Sequence, residues 1–327
     1  MEKTNEVLKK IKRLYGEEAI YLLNDFPTQD VDVIPTGALL LDQALGVGGI
    51  PRGRVTEIFG LYNTGKTTIC QHIIAEAQRL GLTPAYIDVE NVLDFQWASL
   101  CGVDFDNLLL SQPSFAETAL GIAEKLIKSG EIGLVVIDSA AALTPKSEET
   151  EEEFKDVNTT GMRRAKLLYH FFRVVVPALR RNNVALVFTN QMRDNTKSIY
   201  GGVLPGCGHA IKYYASVRME LKVKKSGRVF SGDTVVGQEV QANIVKNRVA
   251  PPLKTASFVI LFDAGIDKAA DVLTAALSFG IVTKAGPYLR YNETTIGQGK
   301  AKTIQALREN PELLLAIEQE CKEILYG

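Results

Sequence analysis

From about Ile34 to Ile266, short apolar runs alternate with longer segments whose apolar residues recur every three or four positions. The short runs Val55–Phe59, Ala85–Asp88, Leu108–Ser111, Leu134–Asp138 and Val184–Thr189 have the length and composition of strands. Leu134-Val-Val-Ile shows no polar face, which suits a strand covered on both sides. Helical periodicity marks 66–80, 92–101, 114–129 and 161–182 between them. The alternation predicts an α/β fold, a mainly parallel central sheet with helices on both faces. After Val217 the runs become β-rich and joined by turns, with Ser226-Gly227 and Ser231-Gly232 marking hairpins.

Two smaller pieces flank this core. Residues 6–15 place Val7, Leu8, Ile11, Leu14 and Tyr15 along one helical stripe, with the lysines and Arg13 largely off it. A helix this short has little to pack on locally, so it docks on its own core or on a neighbouring subunit. From about Asp267 a small α+β module follows, and its last helix begins legibly at Asn310-Pro311-Glu312, a cap residue before proline. The expected division is 1–33, 34–266 and 267–327.

Length and composition narrow the class. The 327 residues, 46% hydrophobic and 23% charged, suffice for one large globular domain with small additions. No apolar run approaches about 18 residues. Nor does a charged-then-apolar leader open the sequence, so a cytoplasmic protein without membrane contact is expected. Cys70, Cys101, Cys207 and Cys321 form no C-x-x-C pair, so reduced thiols are expected, with Cys207-x-His209 a loop coincidence. A net charge of −1 argues against a uniformly basic nucleic-acid coat and leaves room for local basic patches.

The sharpest motif is Gly60-Leu61-Tyr62-Asn63-Thr64-Gly65-Lys66-Thr67-Thr68, which reads G-x-x-x-x-G-K-T between a strand and a helix. Glycines at both ends let successive N–H groups point at one anion, and the N-terminus of the following helix favours phosphate. Lys66 would reach the β- and γ-phosphates and the Thr67 hydroxyl would sit on Mg²⁺. A bare glycine turn before an ordinary helix is the bland alternative. An acid at a buried strand end would complete the metal site. Asp138 supplies it, and Asp88 is a rival of the same shape; the more continuously apolar strand favours Asp138. Glu90, two residues past Asp88, lies on the same side of that strand end and suits a base for the attacking water, or else is a surface acid.

Val184–Thr189 continues into Asn190 and Gln191, and a strand-end amide can sense a γ-phosphate and signal to the next loop. That loop, Met192 to about Gly208, carries Arg193, Lys197 and Tyr200, and its length and small residues predict mobility and function. Arg163, Lys166 and Arg173 share one helical face, opposite Leu167, Phe171 and Val175. That face is either solvated or a contact surface for phosphate backbones. The acidic run Glu148–Glu153 reads as a solvated loop.

Together these residues resemble one family over nearly the whole chain, the bacterial RecA recombinases. The resemblance rests on Gly48-Gly-Ile-Pro-Arg-Gly53, the loop 60–68, Ile87-Asp-Val-Glu90, Val136–Lys146, Thr189-Asn-Gln191, Lys212–Arg218, Val245-Lys-Asn-Arg248 and Ile296–Lys300, in this order. It implies a P-loop ATPase core that binds ATP and Mg²⁺ and a helical homo-oligomeric filament on single-stranded DNA. The implied filament pairs with duplex DNA, exchanges strands in recombinational repair, and triggers self-cleavage of a LexA-like repressor in the SOS response. Loading factors are implied as further partners. Glu90 matches the family's catalytic glutamate, Asp138 its water-mediated Mg²⁺ acid and Gln191 its γ-phosphate sensor. Asp94 and Trp97 fall where the family contacts adenine; a core tryptophan is the plainer reading of Trp97. Lys246 and Arg248 match cations given to a neighbour's ATP, acting in trans on developing phosphate charge. Residues 1–33 are implied to dock on the adjacent subunit, and two DNA loops are implied at about 147–162 and 192–209. The first loop is longer and more acidic than the family pattern, and Asp194-Asn-Thr196 replaces an apolar wedge for which Ile199 and Tyr200 are substitutes. The rival readings are a RecA-like ATPase that regulates or loads without exchanging strands, and a nucleotide-gated structural filament.

Overall fold

The computed structural model describes residues 2–22, 31–148, 157–194, 203–205 and 210–326. The chain divides into two compact units, residues 1–31 and 32–327. In the first, helix α1 (Glu2–Tyr15) leads to a 3-10 turn at Glu17–Ala19. Leu8 and Ile11 are half-buried there, whereas Val7, Leu14 and Tyr15 of the same stripe are exposed.

The second unit opens with β1 (Val33–Ile34), α2 (Leu39–Leu45) and β2 (Ile50–Pro51), the two strands pairing antiparallel. The alternating core follows: β3 (Val55–Gly60), α3 (Lys66–Arg79), β4 (Pro84–Asp88), α4 (Phe95–Leu100), β5 (Leu109–Ser111), α5 (Ala116–Ser129) and β6 (Leu134–Asp138). It continues with α6 (Val157–Asn182), β7 (Ala185–Asp194), β8 (Val203–Pro205) and α7 (Ala210–Tyr214). The antiparallel part is β9 (Val217–Ser231), β10 (Thr234–Asn247), β11 (Thr255–Leu261) and β12 (Gly265–Ile266).

One large sheet joins these strands in the order β12-β11-β10-β9-β3-β7-β6-β4-β5. The run from β9 to β5 is parallel and the run from β9 to β12 antiparallel. Every position of β3, β4 and β6 is buried, as strands covered on both faces require. Side-chain alternation then feeds two cores. Ile58, Val136 and Val187 pack with Ile69, Ile73 and Ile74 of α3 on one face. Val135, Ile137 and Phe188 pack with Ile127 of α5 and Phe171 and Phe172 of α6 on the other.

The C-terminal part is α8 (Lys268–Phe279), the antiparallel strands β13 (Val282–Ala285), β14 (Tyr288–Tyr291) and β15 (Thr294–Gln298), then α9 (Gly299–Glu309) and α10 (Pro311–Tyr326). Asn310 Oδ1 accepts from the Leu313 amide at 3.1 Å, the cap that its sequence announces.

Three expectations change. Ser226-Gly227 does not turn the chain; it lies inside β9, where residues between Val223 and Arg228 bulge opposite Glu239. A Cβ on Gly227 would come within 2.9 Å of the Glu239 Cβ, so this glycine permits close approach of strands. The hairpin turn is at Ser231-Gly232 alone, between β9 and β10. Helix α4 is shorter than 92–101 because Asp94 caps it, and α6 starts at Val157, inside the range expected for the first DNA loop. In the second loop range, Met192–Asp194 pair with Val203–Pro205. Lys197, Ile199, Tyr200, Cys207, His209 and Glu149–Glu153 lie outside the described residues.

A buried ion pair fastens the middle of the sheet. Arg218 Nε donates to Glu57 Oε2, Asn190 Nδ2 donates to Glu57 Oε1 at 2.8 Å, and the guanidinium sits 4.5 Å from the centre of the Phe59 ring. This links β9, β3 and β7 through side chains that water barely reaches. Removing one partner strands the other charge, so Arg218→Met should cost about 3–5 kcal/mol in urea unfolding. Adding Glu57→Gln should recover much of that loss. A single-variant cost below about 1 kcal/mol would show that the pair is not held as described.

Candidate nucleotide site

Strand β3 delivers Gly60 to the middle of the sheet, between β7 and β9. A Cβ at Gly60 would lie 2.5 Å from the Leu221 carbonyl oxygen, so glycine is required by the neighbouring backbone. Leu61 and Tyr62 are exposed, Asn63 takes φ 56, and Thr64 Oγ1 donates to the Leu61 carbonyl at 2.9 Å, which closes the loop. Gly65, at φ 85, then starts α3. Lys66 Nζ folds back on the loop, donating to the carbonyls of Leu61 at 2.7 Å and Gly60 at 3.2 Å. Burial lowers the Lys66 pKa, against the opposing pull of Asp138 and Glu90. An anion replacing those two neutral carbonyls would gain the full charge-assisted bond.

Three hydroxyls converge on Asp138. Thr67 Oγ1 donates to Oδ2 at 2.8 Å, the Tyr86 phenol donates to the same oxygen at 2.9 Å, and Thr189 Oγ1 donates to Oδ1. Thr67 and Asp138 thus offer touching hard-oxygen donors of the kind magnesium takes, usually with one or two carboxylates from the protein. Asp88 sits level with Asp138 on the adjacent strand, yet its Oδ2 accepts from the Leu93 amide and Gln112 Nε2, both at 3.0 Å. It holds the turn after β4 and makes no contact with Thr67 among these bonds. Glu90 Oε1 accepts from Gln191 Nε2 at 2.9 Å and from Ser139 Oγ. The strand ends of β4, β6 and β7 therefore bring Glu90, Ser139 and Gln191 together beside the loop, at the carboxyl ends where open α/β sheets bind ligands.

Asp94 and Trp97 are placed by α4. Asp94 Oδ1 accepts from the Trp97 amide at 3.0 Å, and Trp97 Nε1 donates to Thr68 Oγ1 at 3.3 Å. The indole is half-buried and packs on the core while touching the first turn of α3.

Lys246 and Arg248 are not brought to the loop of their own chain. Lys246 is level with Arg218, which is level with Glu57; Gly60 is level with Leu221, three residues further along and about 10 Å away by strand rise alone. Lys246 Nζ donates to the carbonyls of Lys212 at 2.8 Å and Tyr213 at 3.2 Å, and burial, followed by Arg248, lowers its pKa to about 8. On α6, Arg163, Lys166 and Arg173 are exposed while Phe171 and Val175 are buried, the amphipathic split that the spacing predicts. Arg193 lies on β7 paired with Leu204, and its side chain is outside the described residues.

Sequence reasoning passed over Tyr86, Thr189 and the Ser139 hydroxyl. Strand alternation carried a signal for Tyr86, because residues 86 and 88 share a face of β4. Thr189 had none, since a threonine in a buried strand is common.

The site makes two expectations measurable. Lys66→Ala should leave the fold intact and abolish nucleotide turnover, with a loss of about 1.5–3 kcal/mol in binding; normal turnover would remove this loop from the chemistry. Nucleotide should also change Trp97 fluorescence, and Trp97 is the chain's one tryptophan. An emission spectrum indifferent to saturating analogue would make Trp97 a core residue only.

Comparisons with known proteins agree with this geometry. A model of the RecA N-terminal domain matches residues 2–267, and one of the RecA C-terminal domain matches 270–325. Protein RecA of Thermus thermophilus is 44% identical over 319 residues, covering 97% of this chain and 92% of the relative. Protein RecA of Fusobacterium nucleatum is 42% identical over 321 residues, 98% of this chain and 84% of the relative. For Protein RecA of Aquifex pyrophilus the figures are 40% over 326 residues, 99% and 92%. The chain belongs to the RecA family, the DNA-dependent ATPases that recombine DNA.

Proposed function

We propose that this chain runs the family's recombination cycle with ATP and Mg²⁺ at the loop Gly60–Thr68 and with each site completed by a second copy. The observation that carries the reading is the cluster in which Thr67 bonds Asp138 while Gln191 and Ser139 bond Glu90. These contacts gather Thr67, Asp138, Ser139, Glu90 and Gln191 at one group of strand ends beside Lys66's loop, which supports the reading.

In this reading Thr67 directly and Asp138 through water would hold Mg²⁺, which would neutralise phosphate charge, and Lys66 would exchange its loop carbonyls for phosphate oxygens. Glu90 orients the attacking water and takes its proton. Gln191 changes partner, from Glu90 to the γ-phosphate, and pulls on the strand that leads to the second DNA loop. Asp94 and Trp97 flank the base. Lys246 and Arg248 act on the triphosphate of the adjoining copy, since in their own chain Lys246 lies about 10 Å along the strands from Gly60 and Arg248 follows it. DNA contact belongs to Lys166, Arg173, Arg193, Lys197 and Tyr200, with residues 1–33 joining copies and 267–327 a separate small domain. Single-stranded and double-stranded DNA, a LexA-like repressor and loading factors are the proposed partners, in the cytoplasm. Among the described residues, no helix is long and apolar enough to cross a membrane.

Two experiments test the shared site. Lys246→Ala/Arg248→Ala protein mixed with Lys66→Ala protein should regain part of the DNA-stimulated turnover, because some junctions then have one good face from each parent. No recovery at any ratio, with co-assembly verified, would place the pair in cis or outside the reaction. The pKa of Lys246 adds a pH signature. The pKa lies below the ordinary lysine value, so the charge is complete at lower pH and is lost as pH rises through about 8. DNA-stimulated turnover should fall across that window and stay level in Lys246→Arg, whose guanidinium does not titrate there. An equal fall in both proteins would assign the pH effect elsewhere.

A further inference from the structure

The two oxygens of Asp138 are not equivalent. Each carboxylate oxygen offers two in-plane acceptor positions. Oδ2 uses both, for Thr67 at 2.8 Å and Tyr86 at 2.9 Å, whereas Oδ1 receives Thr189 and keeps one open. Oδ2 is also the oxygen next to Thr67, and so next to any metal that the Thr67 hydroxyl holds. The nucleotide reading gives Tyr86 no part. Its ring, 2% exposed, would be replaced in volume by phenylalanine, so core packing alone does not call for the hydroxyl. The phenol donates its hydrogen to Asp138 Oδ2 at 2.9 Å.

We propose that Tyr86 is a positioning residue which keeps Asp138 from ligating the metal directly: its hydroxyl closes the last acceptor position of Oδ2, and the open position of Oδ1 takes a water of the metal's hydration shell. The inference rests on the assignment of Thr67 and Asp138 to Mg²⁺. Its consequence is selectivity. Magnesium gives up water reluctantly, so an acid that meets it through water suits magnesium, and an acid with a free oxygen at contact distance favours an ion that dehydrates more easily, such as manganese. Tyr86 would thus set an ion preference without touching substrate or metal.

The test uses the full-length protein with ADP, reading bound Mn²⁺ by electron paramagnetic resonance while Mg²⁺ competes. Tyr86→Phe should raise the Mn²⁺-over-Mg²⁺ preference by about tenfold and should remove about one water from bound Mn²⁺, counted with ¹⁷O-labelled solvent. An unchanged preference and water count, in a variant with wild-type circular dichroism and ADP affinity, would reduce Tyr86 to a core residue whose hydroxyl found the nearest acceptor. A reading that needs no variant comes from wild-type protein labelled with ¹³C at aspartate carboxyls. A weak manganese–carbon coupling supports contact through water, and a strong one overturns it. ADP-dependent Mn²⁺ binding that is absent in the wild type would overturn the Thr67–Asp138 assignment before Tyr86 enters.

Discussion

A carboxylate almost cut off from water must find donors, and Asp138 finds three hydroxyls on three different elements. Thr67 comes from the first turn of α3, Tyr86 from β4 and Thr189 from β7. The order of the sheet makes this possible, because β6 runs between β4 and β7 and all three are parallel, so their ends reach the same level. Satisfying Asp138 therefore fixes where the phosphate loop sits relative to the other strand ends. Glu90 and Gln191 emerge one step beyond that level and meet each other there.

The same sheet bears on the proposal that a second copy completes each site. Its parallel half gathers the phosphate loop, the metal-side acid and the candidate base at one end of the strands. The antiparallel half, starting at β9, returns the chain and leaves Lys246 level with the buried pair of Glu57 and Arg218, about 10 Å along the strands from Gly60. Lys246 is held on the carbonyls of Lys212 and Tyr213, and burial lowers its pKa to about 8.

Much of this was legible in the residues. The loop 60–68 announced itself because its chemistry demands glycine at fixed places, and Leu134–Asp138 because a strand buried on both faces has no polar alternative. Apolar continuity favoured Asp138 over Asp88, although both end buried strands at the same level; the structure adds that Asp88 turns to the Leu93 amide and to Gln112, whereas Asp138 bonds Thr67. Ser226-Gly227 misled for a related reason. Glycine marks both turns and bulges, and only the partner strand, with Glu239 pressed against it, distinguishes them. Tyr86 carried no expectation of its own; its ring packs in the core, and its hydroxyl finds its target on a strand 52 residues on.

The central claim is that Gln191 exchanges one partner, Glu90, for another, the γ-phosphate, and so ties nucleotide state to DNA affinity. A ligand shifts a two-state element only by its differential interaction with the two states. One charge-assisted hydrogen bond is worth about 1.5–3 kcal/mol, or roughly ten- to hundredfold in affinity. The direct measurement is the single-stranded DNA affinity of Gln191→Ala with and without a non-hydrolysable ATP analogue, alongside the parent protein. The account predicts that the variant still binds the analogue through Lys66 and Thr67 yet loses most of the analogue-induced tightening on DNA. Retention of the full gain would contradict it.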